Sequence, residues 1–325
     1  VALIGCGLMG GSFALAAREA GWAQHIVGYS ASASSRQKAL SMGVIDAAED
    51  SIAQTVQGAD LVLLAVPVTA TSACFEAIAP ALRSDALLME VGSTKSDIVA
   101  AALNTLGDKL HCFVPVHPIA GKEVAGVEHA DADLYKDRAL IMTPMASSGA
   151  TQVQLAKQIW QSLGSFITEL SPAAHDAAFA AVSHLPHVLA YALIRGIFQQ
   201  KNGADLIALG GPGFRDFSRI AASDPVVWRD ILTTNREQVL LQIAHFKDAL
   251  EEFEKAIEAK HPKALEDMIR QASDLRFKWR IGANQAQPQV SRSPGFTAAT
   301  IRSRPSISGS TRMSSNPAAA NKADT

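Results

Sequence analysis

The segment "VALIGCGLMGGSFALAAREAG", Val1 to Gly21, constrains the chain more than any other. An apolar run the length of a buried strand ends in Gly5-x-Gly7-x-x-Gly10, and a helical pattern follows until Gly21 stops it. Each glycine at this spacing has its own use. Gly5 permits a tight turn, Gly7 lets the main chain approach a pyrophosphate, and Gly10 lets helix and strand pack closely. The free N–H groups at the helix start, on the positive end of its dipole, then face an anion. Between a strand and a helix this pattern predicts dinucleotide binding; taken alone it is a merely tight strand-to-helix turn.

The strand–helix alternation continues. "HIVGYS", "DLVLLAVP" (60–67), "ALLMEVGS", "LHCFVPVHP", "RALIMTP" (138–144) and "FITEL" read as strands with helical segments between most of them. Such alternation predicts an α/β, doubly wound (Rossmann-like) parallel sheet wrapped on both faces. After Ser171 only helical periods remain, up to about residue 284. Ser171 before Pro172, and Asp224 before Pro225, are N-cap and first-turn signals. The expected domains are therefore 1–170, dinucleotide-binding; 171–284, all-helical; and 285–325, a tail rich in Ser, Pro, Ala, Arg and Asn without apolar periodicity, read as disordered.

Composition excludes several classes. With 48% hydrophobic and 18% charged residues, the 325-residue chain has material for two cores. A net charge of -2 offers no basic field for nucleic acid. The three cysteines form no CxxC or Cys/His cluster, so neither disulfide framework nor metal site is expected, and a reduced, cytoplasmic setting fits. No uninterrupted apolar run reaches the roughly 18 residues of a membrane span, so no membrane is expected. The start lacks the positive region of a signal peptide. It also lacks a methionine and falls directly inside a strand, so a few residues are expected to precede it.

Cofactor choice is read about 20 residues past the glycine loop. An NAD site places Asp or Glu at the end of the second strand, for the ribose 2'-hydroxyl. Here that strand ends Gly28-Tyr29-Ser30, and Ser32, Ser34, Ser35 and Arg36 follow. With no carboxylate there to repel a 2'-phosphate, NADP is favoured over NAD.

In doubly wound sheets ligands lie beyond the carboxyl ends of the strands. "VPVHPIAGKE" places His117 at such an end, and "EVGSTKSD" places Ser93, Thr94 and Lys95 on the same rim. A histidine beside a nicotinamide accepts a hydroxyl proton as hydride leaves the adjoining carbon; a histidine capping a strand is the alternative. The helical part contributes "VSHLPHVLAY", where Ser183, His184 and His187 lie within one turn and Pro186 kinks the helix. The histidine pair has no third metal ligand at a suitable spacing, and a place in a core or interface is its other reading. "GGPGFRDFSRIAASDP" offers Arg219 for a forked contact with a carboxylate, and Asp216 to orient a histidine or neutralise an arginine.

Taken together, "GCGLMGGS", "DLVLLAVPV", "EVGSTKSDI", "VPVHPIAGKEVAGVEHA", "LYKDRALIMTP", "VSHLPHVLAYAL" and "GPGFRDFSRIAASDPVVWRDI" resemble the prephenate/arogenate (cyclohexadienyl) dehydrogenase family, in family order from residue 1 to about 284. The resemblance implies oxidative decarboxylation in tyrosine biosynthesis: hydride leaves the ring carbon bearing the 4-hydroxyl, carbon dioxide leaves the ring, and the product is aromatic. It implies that His117 polarises the 4-hydroxyl and that Ser93 holds that histidine and the hydroxyl. Arg219 binds substrate carboxylate, His187 contacts the substrate side chain, and Asp216 is its ionic neighbour. Ser183, His184 and Glu123 are implied as supporting positions. The cofactor set is Gly5, Gly7, Leu8, Met9, Gly10, Ser30, Arg36 and Val66. A homodimer through the helical domain is implied as well. The sequence departs from NAD-using members in lacking the second-strand acid, and no regulatory or chorismate mutase segment is recognisable in it. Two other readings compete. A 3-hydroxyacid dehydrogenase would call for a lysine base in the helical domain, and a non-catalytic nucleotide sensor would keep only the glycine loop.

Overall fold

The computed structural model describes residues 1–285. The tail expected over 285–325 lies, past its first residue, outside the described residues. The first part runs β1 (Ala2–Ile4), α1 (Leu8–Glu19), β2 (Val27–Tyr29), α2 (Ala33–Ser41), β3 (Ala47–Ala48), α3 (Ile52–Val56), β4 (Leu61–Leu64) and α4 (Thr71–Ile78). It continues with β5 (Leu87–Glu90), α5 (Ser96–Thr105), β6 (Phe113–Pro118), β7 (Ala139–Met142), α6 (Ala150–Ser162) and β8 (Phe166–Glu169). The strands form one sheet in the order β3-β2-β1-β4-β5-β6-β7-β8. The order reverses at β1, and the glycine loop leaves β1 at that switch point.

Alternate residues along each strand go to opposite faces. Leu3, Leu63, Met89 and Val114 pack with Phe13 of α1 and Trp160 of α6. Ala2, Ile4, Val62, Leu64 and Leu88 pack with Phe75 of α4 and Ile98 of α5. Both faces are dry, which is why these strands read as continuous apolar runs.

The parallel expectation fails at one pair. β7 runs antiparallel to β6, with His117 opposite Ile141. A parallel return needs a crossover, usually helical. Between Pro118 and Ala139 the described residues hold only a single short 3₁₀ turn, Val127–His129, so the chain doubles back. β3 and α3 escaped the sequence reading because two and five residues are too short to show a period.

The helical part comprises α7 (Pro172–Phe179), α8 (Leu185–Phe198), α9 (Gly203–Ala208), α10 (Pro212–Ser218), α11 (Pro225–Thr234), α12 (Arg236–Glu258) and α13 (Pro262–Gln285). Ser171 Oγ accepts the N–H of Ala174, and Asp224 Oδ1 accepts those of Val226 and Val227, so both predicted caps form. A π-helical turn, Ala180–His184, joins α7 to α8 just before Pro186. Proline has no N–H to give and crowds the carbonyl four residues back; the widened turn absorbs that misfit.

This joined helix corrects one expectation. Pro172–Phe198 is a continuous 27-residue helix containing an 18-residue window of mean hydropathy 1.5, long and apolar enough to cross a membrane. A scan for unbroken apolar runs misses it, because His175, Asp176, His184 and His187 interrupt the pattern. Only 22% of that window is buried within the chain, yet the 27-residue helix as a whole buries His175, Asp176 and His184.

Candidate active site

The glycine loop has the shape its sequence implies. Gly5 has φ +102°, and a Cβ there would sit 2.1 Å from the carbonyl oxygen of Ala65 and 3.3 Å from Val66. A Cβ on Gly10 would sit 2.1 Å from the Gly5 oxygen and 2.9 Å from Leu3. These two positions are closed to any side chain. Gly7 is the reverse case: it is the N-cap of α1, makes no side-chain cap, and a Cβ on it would meet nothing within 4 Å. Open space over a bare helix N-terminus fits a pyrophosphate. Leu8 and Met9 open α1; Leu8 is buried, and the carbonyl of Met9 is held by the Tyr135 hydroxyl at 2.6 Å.

At the ribose end, Arg36 reaches back from α2. Its Nη1 donates to the Ser30 carbonyl at 2.5 Å and its Nη2 to Asp50 Oδ1 at 2.8 Å. The sequence shows no carboxylate at the end of β2, but folding brings one from beyond β3, and Asp50 neutralises part of the expected phosphate contact. Asp50 is 92% exposed, so this pair is of the weak surface kind.

His117 lies at the carboxyl end of β6, half-buried. Its Nδ1 is 2.8 Å from Nε2 of His175, and Nδ1 of His175 is 2.9 Å from Asp176 Oδ1. Asp176 also accepts the backbone N–H groups of Lys95 and Ser96 at 2.9 and 2.8 Å, capping α5 from the helical part of the chain. Phe179 stacks on His175 and leans on His117. Beneath, Lys95 Nζ meets Glu90 Oε1 at 2.5 Å with both side chains sealed from solvent. Burial pushes the Glu90 carboxyl up and the Lys95 ammonium down, while their mutual attraction opposes both shifts.

The remaining predicted residues sort as follows. Ser93 is half-buried in the β5–α5 loop; the Nδ1 bond of His117 goes to His175 and not to Ser93. His184 is buried, and its Nδ1 accepts from Asn235 Nδ2 at 3.2 Å. His187 donates Nδ1–H to the Ser183 carbonyl at 2.9 Å and stacks on Trp228, centroids 3.4 Å apart. Arg219 pairs with Glu123, in the loop that follows His117. Asp216 pairs with Arg215 at 3.5 Å, and the charge acting on His187 is that of Arg219.

Every histidine here is pushed toward neutrality. Burial lowers the His117 imidazole well below the usual range, helped by His175, Lys95 and His184. Burial lowers His175 too, against the opposing pull of Asp176. His184 falls to about 4, chiefly by burial, and His187 is lowered by burial with a contribution from Arg219. A neutral imidazole at a strand end is a base, not an acid. Among the described residues no group of three or more His, Cys, Asp or Glu side chains is arranged to hold a metal ion.

His175, Asp176, Asn235 and Asp50 escaped the sequence reading. "SPAAHDAA" carried a signal, adjacent His and Asp just past an N-cap, but it reads equally well as helix composition.

A dinucleotide cradle at the switch point of a mostly parallel sheet, a neutral imidazole on the same rim and a helical domain beyond it together define a nucleotide-dependent oxidoreductase of the Rossmann type. The comparisons with known proteins are more specific. Residues 13–169 match the model of the prephenate dehydrogenase nucleotide-binding domain, and residues 171–271 that of the prephenate dehydrogenase dimerization domain. The chain belongs to the prephenate dehydrogenase family. It is 34% identical to the cyclohexadienyl dehydrogenase of Zymomonas mobilis subsp. mobilis, over 85% of this chain and 94% of that protein. With the prephenate dehydrogenase of Bacillus subtilis it shares 32% identity, over 85% and 75% of the two chains. Among solved structures, Aquifex aeolicus prephenate dehydrogenase in complex with hydroxyphenyl propionate and NAD+ superposes with a TM-score of 0.79 at 34% identity, over 85% of this chain and 96% of that one. Synechocystis arogenate dehydrogenase superposes at 0.72 with 26% identity, over 85% and 98%.

Proposed function

We propose that this protein catalyses the oxidative decarboxylation of prephenate, arogenate or both, in tyrosine biosynthesis. The observation that carries the reading is the neutral His117 imidazole at the end of β6, on the rim that also holds the glycine cradle. A bound nicotinamide dinucleotide supplies the hydride acceptor. Gly5, Gly7, Leu8, Met9 and Gly10 hold its pyrophosphate side, with Val66 against the turn and Ser30 and Arg36 at the ribose.

His117 takes the proton of the 4-hydroxyl as that carbon loses hydride, and returns it to the same oxygen as carbon dioxide departs and the ring becomes aromatic. The residue therefore ends each turnover as it began, with no net proton released by the substrate. Ser93 lies at the neighbouring strand end and donates to the hydroxyl oxygen. Arg219 leaves Glu123 to bind the substrate carboxylate, a stronger partner in a closed site. Ser183, His184 and His187, with Asp216 further out, complete the wall on the helical side.

NADP is the preferred cofactor. Arg36, released from the exposed Asp50, and the hydroxyls at the start of α2 would hold a 2'-phosphate. The protein works as a homodimer through the helical domain, in the cytoplasm; Cys6 and Cys74 as buried free thiols accord with a reducing compartment.

The test is direct. Purified protein is mixed with prephenate or arogenate and each cofactor, and NAD(P)H absorbance is followed. His117→Asn is expected to lower kcat/KM by about 10²–10⁴-fold while cofactor still binds. Full turnover by this variant removes His117 from its role.

A further inference from the structure

We propose that His175 and Asp176 form a relay that sets the tautomer of His117, presenting the bare Nε2 of that base to the cleft. The inference rests on the reading of His117 as the base and adds two positioning residues to it.

The argument starts from Asp176, which can only accept. Its Oδ1 takes the N–H of Lys95 and faces Nδ1 of His175, and its Oδ2 takes the N–H of Ser96. Burial works against the charge, but three donors around one carboxylate outweigh it and hold the Asp176 carboxyl below the usual carboxylate range, so it stays ionised. The proton of His175 must therefore sit on Nδ1. That ring is fully buried, so its Nε2 finds no water and needs a donor from the protein. The group at 2.8 Å is Nδ1 of His117. One proton must occupy that contact. A neutral His175 supplies none from Nε2, so it belongs to His117. The other nitrogen of His117, Nε2, is then unprotonated.

The charges facing these rings agree. His117 is approached by His175, Lys95 and His184, and His175 by Lys95 and Asp176, with Glu90 pairing Lys95 from below. Only Asp176 favours a cation on the relay, and it acts at the far end. When Nε2 of His117 takes the substrate hydroxyl proton, the new positive charge is passed toward that carboxylate through the Nδ1–H bond, without the rings having to turn. Asp176 does a second thing: by capping α5 it fixes the loop that carries Ser93. One carboxylate from the helical part thus holds both groups that approach the hydroxyl.

The experiment uses the intact protein. Histidine labelled with 15N, with the His117→Asn variant to assign the signal, reports which nitrogen of His117 carries the proton. Nδ1–H with bare Nε2 is expected; Nε2–H overturns the proposal whether or not the enzyme turns over. His175→Phe keeps the stack on Phe179 and removes the acceptor. It is expected to lower kcat about a hundredfold with KM for substrate and cofactor unchanged, and to alter the acid limb of the pH–rate profile. His175→Gln, whose amide oxygen still accepts from His117, recovers most of that loss. Equal defects in Phe and Gln variants, or an unchanged rate and profile with Phe, overturn the relay. A wild-type protein inert toward prephenate and arogenate but showing the expected tautomer retains the relay and discards the substrate reading.

Discussion

Replacing Lys95 by Met probes the polar layer that holds the site from below. Lys95 Nζ and Glu90 Oε1 are 2.5 Å apart, with side-chain exposures of 0% and 2%. Glu90 has one other partner, the N–H of Gly92 at 2.7 Å, which does not replace a counter-charge. Removing one member of a buried pair strands the other, at a cost of about 3–5 kcal/mol. That is a large share of the roughly 5–15 kcal/mol that holds a typical domain. The sign of the pH dependence follows from protons. In the variant, native Glu90 takes up a proton to escape its stranded charge, while the unfolded chain is ionised above the ordinary glutamate range. The native state then binds more protons, and stability falls as pH rises, by about 1.4 kcal/mol per unit until the raised native value is reached. Urea unfolding followed from about pH 4 to pH 8 reads this slope. The double variant Lys95→Met with Glu90→Leu, which leaves no charge stranded, is expected to recover most of the loss and to lose the slope. A single variant as stable as wild type at every pH, or a double variant no better than the single, refutes the picture of a sealed ion pair.

Four further outcomes are expected. Arg219→Ala raises KM for the dicarboxylate substrate by roughly 10–100-fold, the worth of one charged hydrogen bond, with little change in cofactor KM; steady-state kinetics decide this. Lowered native values for His117, His175, His184 and His187 mean that the unfolded chain binds more protons below the ordinary histidine range. Stability is therefore full above about pH 6.5 and is lost as pH falls toward the His184 value of about 4, measurable as a falling Tm. The rate holds across neutral pH for the same reason, since His117 stays unprotonated there. Gly7→Ala folds normally but binds dinucleotide weakly, because its methyl enters open space over the helix N-terminus, whereas Gly10→Ala loses about 1–3 kcal/mol of stability against the Gly5 carbonyl. Thermal melts with and without cofactor separate the two.

Much of this protein was determined locally. Gly5, Gly7 and Gly10 each answer to a steric demand of one turn, so their spacing announces the cradle before any packing is known. Ser171–Pro172 and Asp224–Pro225 start helices through bonds that span only two or three residues. The continuous apolar strands report that both sheet faces are covered, whatever covers them. Tertiary structure decided what depends on partners far apart in the chain. The direction of β7 followed from the absence of a crossover helix, not from the strand's own residues, which look alike in either sense. Asp50 reached Arg36 across β3. His175 met His117 from 58 residues away, and Asp176 capped a helix from 80 residues away, because a buried polar group takes whichever partner the packed elements deliver to it. A side chain's type is written in the sequence, but the group that sets its proton is chosen by the fold.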